Sequence, residues 1–547
     1  MDNLRTLFIF GLLIVSLLLW EAWQNDYVRP QQAADIASQT QTNAAQPVIS
    51  DAELPDMPTA SAESLPDVPQ SQQMSTAAGK IHVKTDVMDL HIATQGGDIR
   101  DLALLDYAVS SEQPDTPIQF LNDSAGQFFV TQSGLRADGE APTHYENYRA
   151  EQTEYLLTEG QDELKVPLYW QTNSGLQVVK TYTFKRDSYV VDVDYQVINN
   201  SGETFSAYPY AQLNRNRGDD GSMFIYTYTG AVFSSKGNEY EKVDFEDLDD
   251  QAFSRSATDG WAAMIQHYFV AAIVPPQAGE QLGFYGKSIN GTNYTAGVRM
   301  PALSAASGDR AETQYQLYLG PKKHERLEKV AENLPLTVDY GILTIISEPL
   351  FWVMEWLHKL TGNWGWSIIL LTVLIKLAFF KLSATSYRSM AAMRKLTPKL
   401  ASLKERYGDD KQKFNQAMMD LYRTEKINPL GGCLPILVQM PVFLAFYWVL
   451  VESVELRQAD FMLWINDLTA MDPYFILPVL FGLSMWFQQK LNPAPQDPAQ
   501  AMMMKIFPLV FTVFFAFFPA GLVLYWVVNN VLSIAQQWYI TRKMGAL

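Results

Sequence analysis

Three kinds of hydrophobic pattern divide the chain. Leu7 to Trp20 (LFIFGLLIVSLLLW) carries no charge. Extended from Leu4 to Trp23, it gives about 20 residues, enough to cross roughly 30 Å of hydrocarbon as a helix. The run ends Leu-Leu-Leu-Trp-Glu-Ala-Trp, without the small residues of a signal-peptidase site. Residues 1–23 therefore read as an uncleaved membrane anchor. Residues 24–79 are rich in Gln, Ala, Ser, Pro and Asp, and from Pro30 to Gly79 they hold no aromatic. Such a composition buries too little apolar surface to fold, which predicts a flexible linker.

From Lys80 the period becomes two. Leu176–Phe184 (LQVVKTYTF), Tyr189–Val197 (YVVDVDYQV) and Phe224–Phe233 (FIYTYTGAVF) alternate apolar with polar positions. Turn residues such as Asn199–Gly202 and Lys236-Gly237-Asn238 separate these runs. Many short strands at this spacing predict a β-sandwich over residues 80–320. Residues 321–362 then hold a linking helix over Lys323–Asn333 and an amphipathic helix. In the latter, Leu350, Val353, Met354, Leu357 and Leu360 share one face, with Trp352 and Trp356 nearby. Its Glu355, His358 and Lys359 oppose full insertion and place it at a membrane interface.

Five further apolar stretches follow within residues 363–547: Trp364–Leu382, Gly432–Val454, Tyr474–Gln489, Met504–Phe518 and Gly521–Ile540. With the anchor they make six spans. The fold class is thus a multi-domain, α-helical six-span membrane protein with a five-span core and an extracytoplasmic β-sandwich. Between the first two core spans, Met390, Met393, Leu396, Leu400, Leu403 and Tyr407 step by three and four, as do Phe414, Met418, Leu421 and Tyr422. Gly408 can end one helix, and Asp409-Asp410 can cap the next. This predicts a helical hairpin over residues 385–427, interrupted at Thr397-Pro398.

Charge orients these elements. The net charge of −18 conceals a split: residues 21–345 hold 22 basic and 45 acidic residues, while the rest of the chain is net positive. The acidic domain excludes nucleic-acid recognition there, which needs clustered Lys and Arg. The hairpin loop, Ser383–Gly431, has ten basic and five acidic residues, whereas Val454–Pro473 has one Arg and four acids. The positive-inside rule then places both termini and the hairpin in the cytoplasm, with the β-domain outside, in the periplasm of a Gram-negative cell. Cys433 is the single cysteine, which excludes an intramolecular disulfide and a Cys-based zinc site. The histidines in and after the sandwich (His82, His91, His144, His267, His324) show neither metal-ligand spacing nor a nucleophile motif. The chain also lacks G-x-x-x-x-G-K-[ST]. No catalytic residue, metal or cofactor is expected.

Polar residues inside the spans give the sharpest signal. Lys376 interrupts ILLTVLIKLAFF, where a charged group costs about 2.5–3.5 kcal/mol on insertion scales. Thr372 lies one turn away on the same face. Gln439, Gln488, Thr512, Asn529, Asn530, Ser533 and Gln536 occupy the other spans, with no mid-span carboxylate to pair with the lysine. A wet, positively charged cavity would satisfy these groups; snorkelling toward the headgroups is the alternative for the lysine.

These features resemble one family. Asn428-Pro429-Leu430-Gly431-Gly432-Cys433-Leu434-Pro435, followed by Gln439-Met440-Pro441, is similar to the entry of the third span of YidC-type membrane protein insertases. Pro519–Trp526 with Asn529 resembles their last span, and Tyr407–Lys411 and Val454–Arg457 match too. The resemblance spans nearly the whole chain. It implies an insertase rather than an enzyme, working alone or beside the Sec translocon through a hydrophilic groove open to cytoplasm and lipid. In that groove stand Lys376, Thr372, Gln439, Asn529, Asn530 and Ser533. Gram-negative relatives commonly carry Arg where this chain has Lys376, so the charge is kept and the bidentate fork is lost. The implied substrate slide comprises Phe443, Phe507, Phe511, Phe514 and Trp526. The implied partners are nascent membrane proteins, the lipid bilayer, and a ribosome or targeting factor at the hairpin. There, Met393, Leu400, Met418 and Leu421 form the seam and Asp409 and Asp410 the turn. The sandwich itself resembles sugar-mutarotase-like folds. The alternatives are a secondary transporter and a membrane-anchored periplasmic carbohydrate-active protein.

Overall fold

The computed structural model describes residues 79–218, 228–277, 279–407, 410–425, 434–491 and 498–543. The expected anchor, the linker up to residue 78, Gly408-Asp409 and Asn428–Cys433 lie outside these described residues.

Residues 80–321 form stacked, mainly antiparallel sheets. The largest has nine strands, with Leu176–Lys185, Val190–Asn199 and Arg310–Pro321 side by side near its middle. Val191, Val193, Tyr195 and Val197 are buried while the intervening residues are not, so the period-two pattern read from the sequence is the pattern of burial. A six-stranded sheet centred on Phe205–Asn216 and Asn293–Arg299 packs against it. Trp261, Phe233, Phe284 and Tyr294 fill the shared core. A third sheet of five strands, built from Lys80 onward, carries the one parallel pairing among the described residues, between Lys80–Lys84 and Glu154–Leu156. The linking helix expected over Lys323–Asn333 is shorter, His324–Leu327, and turns complete the segment. The Trp261 indole N–H donates to the Glu332 carbonyl at 2.9 Å, fixing those turns to the sandwich.

The helical region starts with α1 (Thr344–Thr361) and α2 (Trp364–Ala378). Asn363 caps α2 by accepting from the Trp366 N–H at 3.1 Å. The first core span was expected to reach Leu382, but α2 ends at Ala378 and the chain bends by 68° at Phe379 into α3 (Phe380–Lys395). The basic hairpin follows as α4 (Thr397–Tyr407) and α5 (Lys411–Thr424), broken from α3 at Leu396, just before the expected Thr397-Pro398. Then come α6 (Leu434–Glu452), α7 (Ile476–Leu491), α8 (Pro498–Phe515) and α9 (Ala520–Lys543). Among the described residues no single helix is long and apolar enough to cross a membrane by that measure alone; the bent pair α2–α3 is, taken together. α9 has the length, at about 36 Å, but polar residues run through its middle.

Two close approaches set the bundle. A Cβ on Gly482 would lie 1.9 Å from Thr512 Oγ1, so α7 and α8 meet where the former has no side chain. α1 departs from its expected face. Ser347, Phe351, Met354 and Leu357 are buried, and the Ser347 hydroxyl donates to the Ala445 carbonyl on α6 at 3.1 Å. Leu360, expected among them, is 66% exposed, and Trp352 and Trp356 stand out on the opposite side. The helix is therefore apolar on both faces: one packs on α2 and α6, the other is open.

Candidate functional site: the Lys376 seam

Lys376 is buried in the last turn of α2, two residues before the helix ends. Its ammonium donates to Ser533 Oγ on α9 at 2.8 Å. The Ser533 hydroxyl donates in turn to the Asn529 carbonyl, one turn back, at 2.6 Å. Tyr387 of α3 lies beside the same serine. Among the described residues no carboxylate pairs with the lysine. The bend at Phe379 makes this arrangement possible, because it turns α3 across the end of α2 and brings Tyr387 over α9. The Gln536 amide donates to the Phe380 carbonyl at 3.1 Å, satisfying an acceptor at the start of α3.

The other expected groove residues divide. Thr372 is buried, but its hydroxyl is spent on the Ile368 carbonyl of its own helix at 2.7 Å. Asn529 enters through its backbone. Asn530 is buried and faces elsewhere: its amide donates to Ser484 Oγ on α7 at 3.0 Å, bracing α9 against α7. Gln439 is half-buried on α6. Ser484 and Tyr387 escaped the sequence reading. A serine beside Gly482 and a tyrosine in a basic stretch carry no periodic signal, and their partners lie on other helices.

The expected slide residues form one aromatic run. Phe443 of α6 lies 4.6 Å from Trp526 of α9 between ring centroids. Trp526 lies 5.9 Å from Phe515, and Phe515 stacks on Phe511 at 6.1 Å. Phe507 and Phe514 continue the run outward and are exposed, 44% and 48%. Phe515, buried at the centre, was not singled out in the sequence.

At the hairpin, Leu400 is buried together with Leu396, while Met393, Met418 and Leu421 are half-buried. Met393 lies on α3, before the break. Asp410 caps α5, accepting from the Gln412 and Lys413 N–H groups at 3.1 Å each. Lys399 bridges to Glu425 at 2.5 Å, tying α4 to the end of α5.

The comparisons with known proteins cover the same two regions. A profile described as the YidC periplasmic domain matches residues 80–353, and one described as 60Kd inner membrane protein matches residues 356–546. A membrane protein insertase YidC from Nitrosococcus oceani is 51% identical over 550 residues, covering 100% of this chain and 99% of that protein. The chain belongs to the YidC family of membrane protein insertases. A YidC from Methylococcus capsulatus is 50% identical over 551 residues, with 100% and 99% covered. A crystal structure described as an active YidC insertase, with its first transmembrane domain resolved, aligns with a TM-score of 0.39 at 19% identity, covering 85% of this chain and 93% of the other. The protein is thus a membrane protein insertase with a periplasmic β-rich domain and a C-terminal helical region, as the resemblance implied. Family membership displaces the transporter alternative.

Proposed function

We propose that Lys376 is the cationic element of an insertion groove, and that α2, α6, α8 and α9 line the route of the substrate. The observation carrying this reading is the chemistry around the ammonium: it meets a serine hydroxyl and, among the described residues, no carboxylate. A buried ammonium needs acceptors for its remaining hydrogens. Water and the acidic residues of a polar tail on its way across supply them. The apolar part of the substrate leaves along Phe443, Trp526, Phe511 and Phe514 into lipid. Partitioning, at about 25 cal/mol per Å² of apolar surface removed from water, drives the step without nucleotide hydrolysis.

In this reading both termini and the hairpin are cytoplasmic and the protein is multi-pass in the inner membrane. The hairpin's exposed basic faces receive a ribosome or targeting factor, and the core acts alone or beside the Sec translocon. The test is site-specific photocrosslinking in cells making a stalled nascent membrane protein. A crosslinker at Phe443, Phe514 or Asn529 should capture the nascent chain, and one at Tyr240 in the β-domain should not. Capture at Tyr240 with silence at the groove positions would overturn the assignment.

A further inference from the structure

Where the sandwich meets the helical region, a cavity of about 1100 Å³ opens between the His324–Leu327 turn, α1 and the Val454–Leu456 turn. Its walls are chemically uneven. Most cations are already engaged: Lys359 holds Glu325 at 3.3 Å and Glu355 at 3.2 Å, and Arg326 holds Asp187 at 2.7 Å. Two charges remain. Glu455 has no ion-pair partner among the described residues. Lys323 has no carboxylate partner among the described residues either, and its ammonium stands over the Tyr107 ring at 5.7 Å. Along the rim, Ile345 and Trp352 of α1 are 86% and 67% exposed.

The cavity therefore offers carboxylates for a cation, with Glu455 the most enclosed of them, one ammonium for an anion, and an apolar exit. An amphiphile bearing both charges in its head matches all three. An anionic head would meet Glu328, Glu348 and Glu455, whose repulsion one lysine does not offset. A quaternary ammonium would bring charge without N–H donors. A primary ammonium brings three.

We propose that this cavity binds the headgroup of an ethanolamine phospholipid of the outer leaflet, with its ammonium on Glu455, its phosphate on Lys323 and its acyl chains leaving past Ile345 and Trp352. Burial pushes the Glu455 carboxyl up to about 7, and an incoming ammonium is the partner that restores its charge. The lipid would pin the seat of the β-domain to the bilayer surface. The proposal rests on the reading that α1 lies at the outer interface.

The full-length protein is reconstituted in vesicles of equal phosphatidylethanolamine and phosphatidylglycerol, extracted in mild detergent, and its retained lipids are weighed by native mass spectrometry. Phosphatidylethanolamine should be retained over phosphatidylglycerol. Glu455→Gln should cut that preference about tenfold, the factor worth one charge-assisted hydrogen bond. Lys323→Gln, which leaves the cavity floor untouched, should cut it as well. Equal retention of the two lipids by the unaltered protein, or an unchanged preference in both variants, overturns the proposal. So does displacement of the lipid by soluble phosphoethanolamine at equal concentration, or by a lysine-rich peptide; those outcomes assign the site to a free headgroup or a protein. A failure of the interface reading appears separately, in thiol labelling of the topology, and leaves the lipid ratio in detergent unaffected.

Discussion

The Lys322 ammonium lies 3.1 Å from the Glu452 carboxylate, with both side chains almost wholly buried. Lys322 follows the last strand of the sandwich, and Glu452 ends α6. Around them, the His267 ring N–H donates to the Val451 carbonyl at 2.7 Å, and Arg457 donates to the Ala108 carbonyl at 2.7 Å. The β-domain is therefore seated on the end of the bundle where α6 stops.

Breaking the Lys322–Glu452 pair should be costly. Removing one partner leaves a buried charge uncompensated, which destabilises by about 3–5 kcal/mol. Glu452→Ala and Lys322→Ala should each lower the melting temperature of the full chain in detergent. The double replacement Lys322→Met with Glu452→Leu should recover most of the loss, because neither charge remains to be desolvated. A double variant as unstable as the singles would show that shape at this junction matters more than charge.

Two groups at the same junction titrate with opposite signs. Burial pushes Glu455 up to about 7 from an ordinary 4.5, with Lys323 opposing the shift and Glu355 and Glu325 adding to it. The folded protein then binds more protons between these values, so this stabilisation is full below about 4.5 and lost as pH rises through about 7. Burial lowers His267 to about 4 from 6.5, opposed by its bond to Val451 and aided by Lys322 and Arg457. Its contribution is full above about 6.5 and lost as pH falls through about 4. The two slopes offset each other where the windows overlap. Glu455→Gln should expose a melting temperature that rises with pH there, and His267→Gln one that falls. Parallel profiles for both variants and the unaltered chain would remove these groups from the pH response.

The junction was invisible in the sequence for a physical reason. Lys322 and Glu452 are 130 positions apart, and neither stands in a periodic pattern. What was legible obeys local rules: strand alternation over Val190–Asn199, the Asp410 cap, and the break before Thr397-Pro398. Lys376 stood out because a charge in an apolar run is costly wherever the helix goes. Its setting did not, since the bend at Phe379 interrupts an apolar run with no proline or glycine nearby. The separate partners of Asn529 and Asn530 were hidden for a related reason: adjacent residues on a helix point about 100° apart, so Asn529 meets Ser533 and Asn530 meets Ser484.

The β-domain should be dispensable for insertion and needed for robustness. It joins the core through the contacts at Val451, Glu452 and Arg457, while the Lys376 seam is built wholly from helices. Deleting part of Lys80–Gly320, with residues 321–362 retained, should leave most of the insertion of a model substrate intact and lower the melting temperature. Lost insertion by a core that still folds would assign the domain a direct role.

Orientation can be tested with single cysteines in a Cys433→Ser background. Ser254→Cys on the sandwich and Ala470→Cys between α6 and α7 occupy exposed positions, as does Ser402→Cys on α4. The first two should react with an impermeant thiol reagent once the outer membrane is permeabilised. Ser402→Cys should react only after the inner membrane is opened. Labelling of Ser402→Cys from outside would invert the topology read from the charge asymmetry.

The decisive variants are at Lys376. Its ammonium is held by Ser533, whose hydroxyl is already committed to Asn529, so the charge itself is left for a visitor. Two unit charges about 4 Å apart attract by about 4 kcal/mol at an effective dielectric near 20, and water in a groove reduces this. That is comparable to the cost of carrying one carboxylate part-way into the membrane. Effects should therefore be graded by charge. Lys376→Arg should stay active, since the cation remains. Lys376→Ala should impair substrates with acidic tails and spare those with neutral tails. Lys376→Glu should be worst for the acidic class, and neutralising the tail should restore part of the yield. Ser533→Ala is the companion test: it removes the hydroxyl that orients the ammonium and keeps the charge, so it should weaken insertion less than Lys376→Ala does. Protease protection of the translocated tail, over a series of tail charges, reads all four variants. If Lys376→Ala lowers insertion equally at every tail charge, the lysine acts by shaping and hydrating the seam, because an electrostatic partner must distinguish an acidic tail from a neutral one.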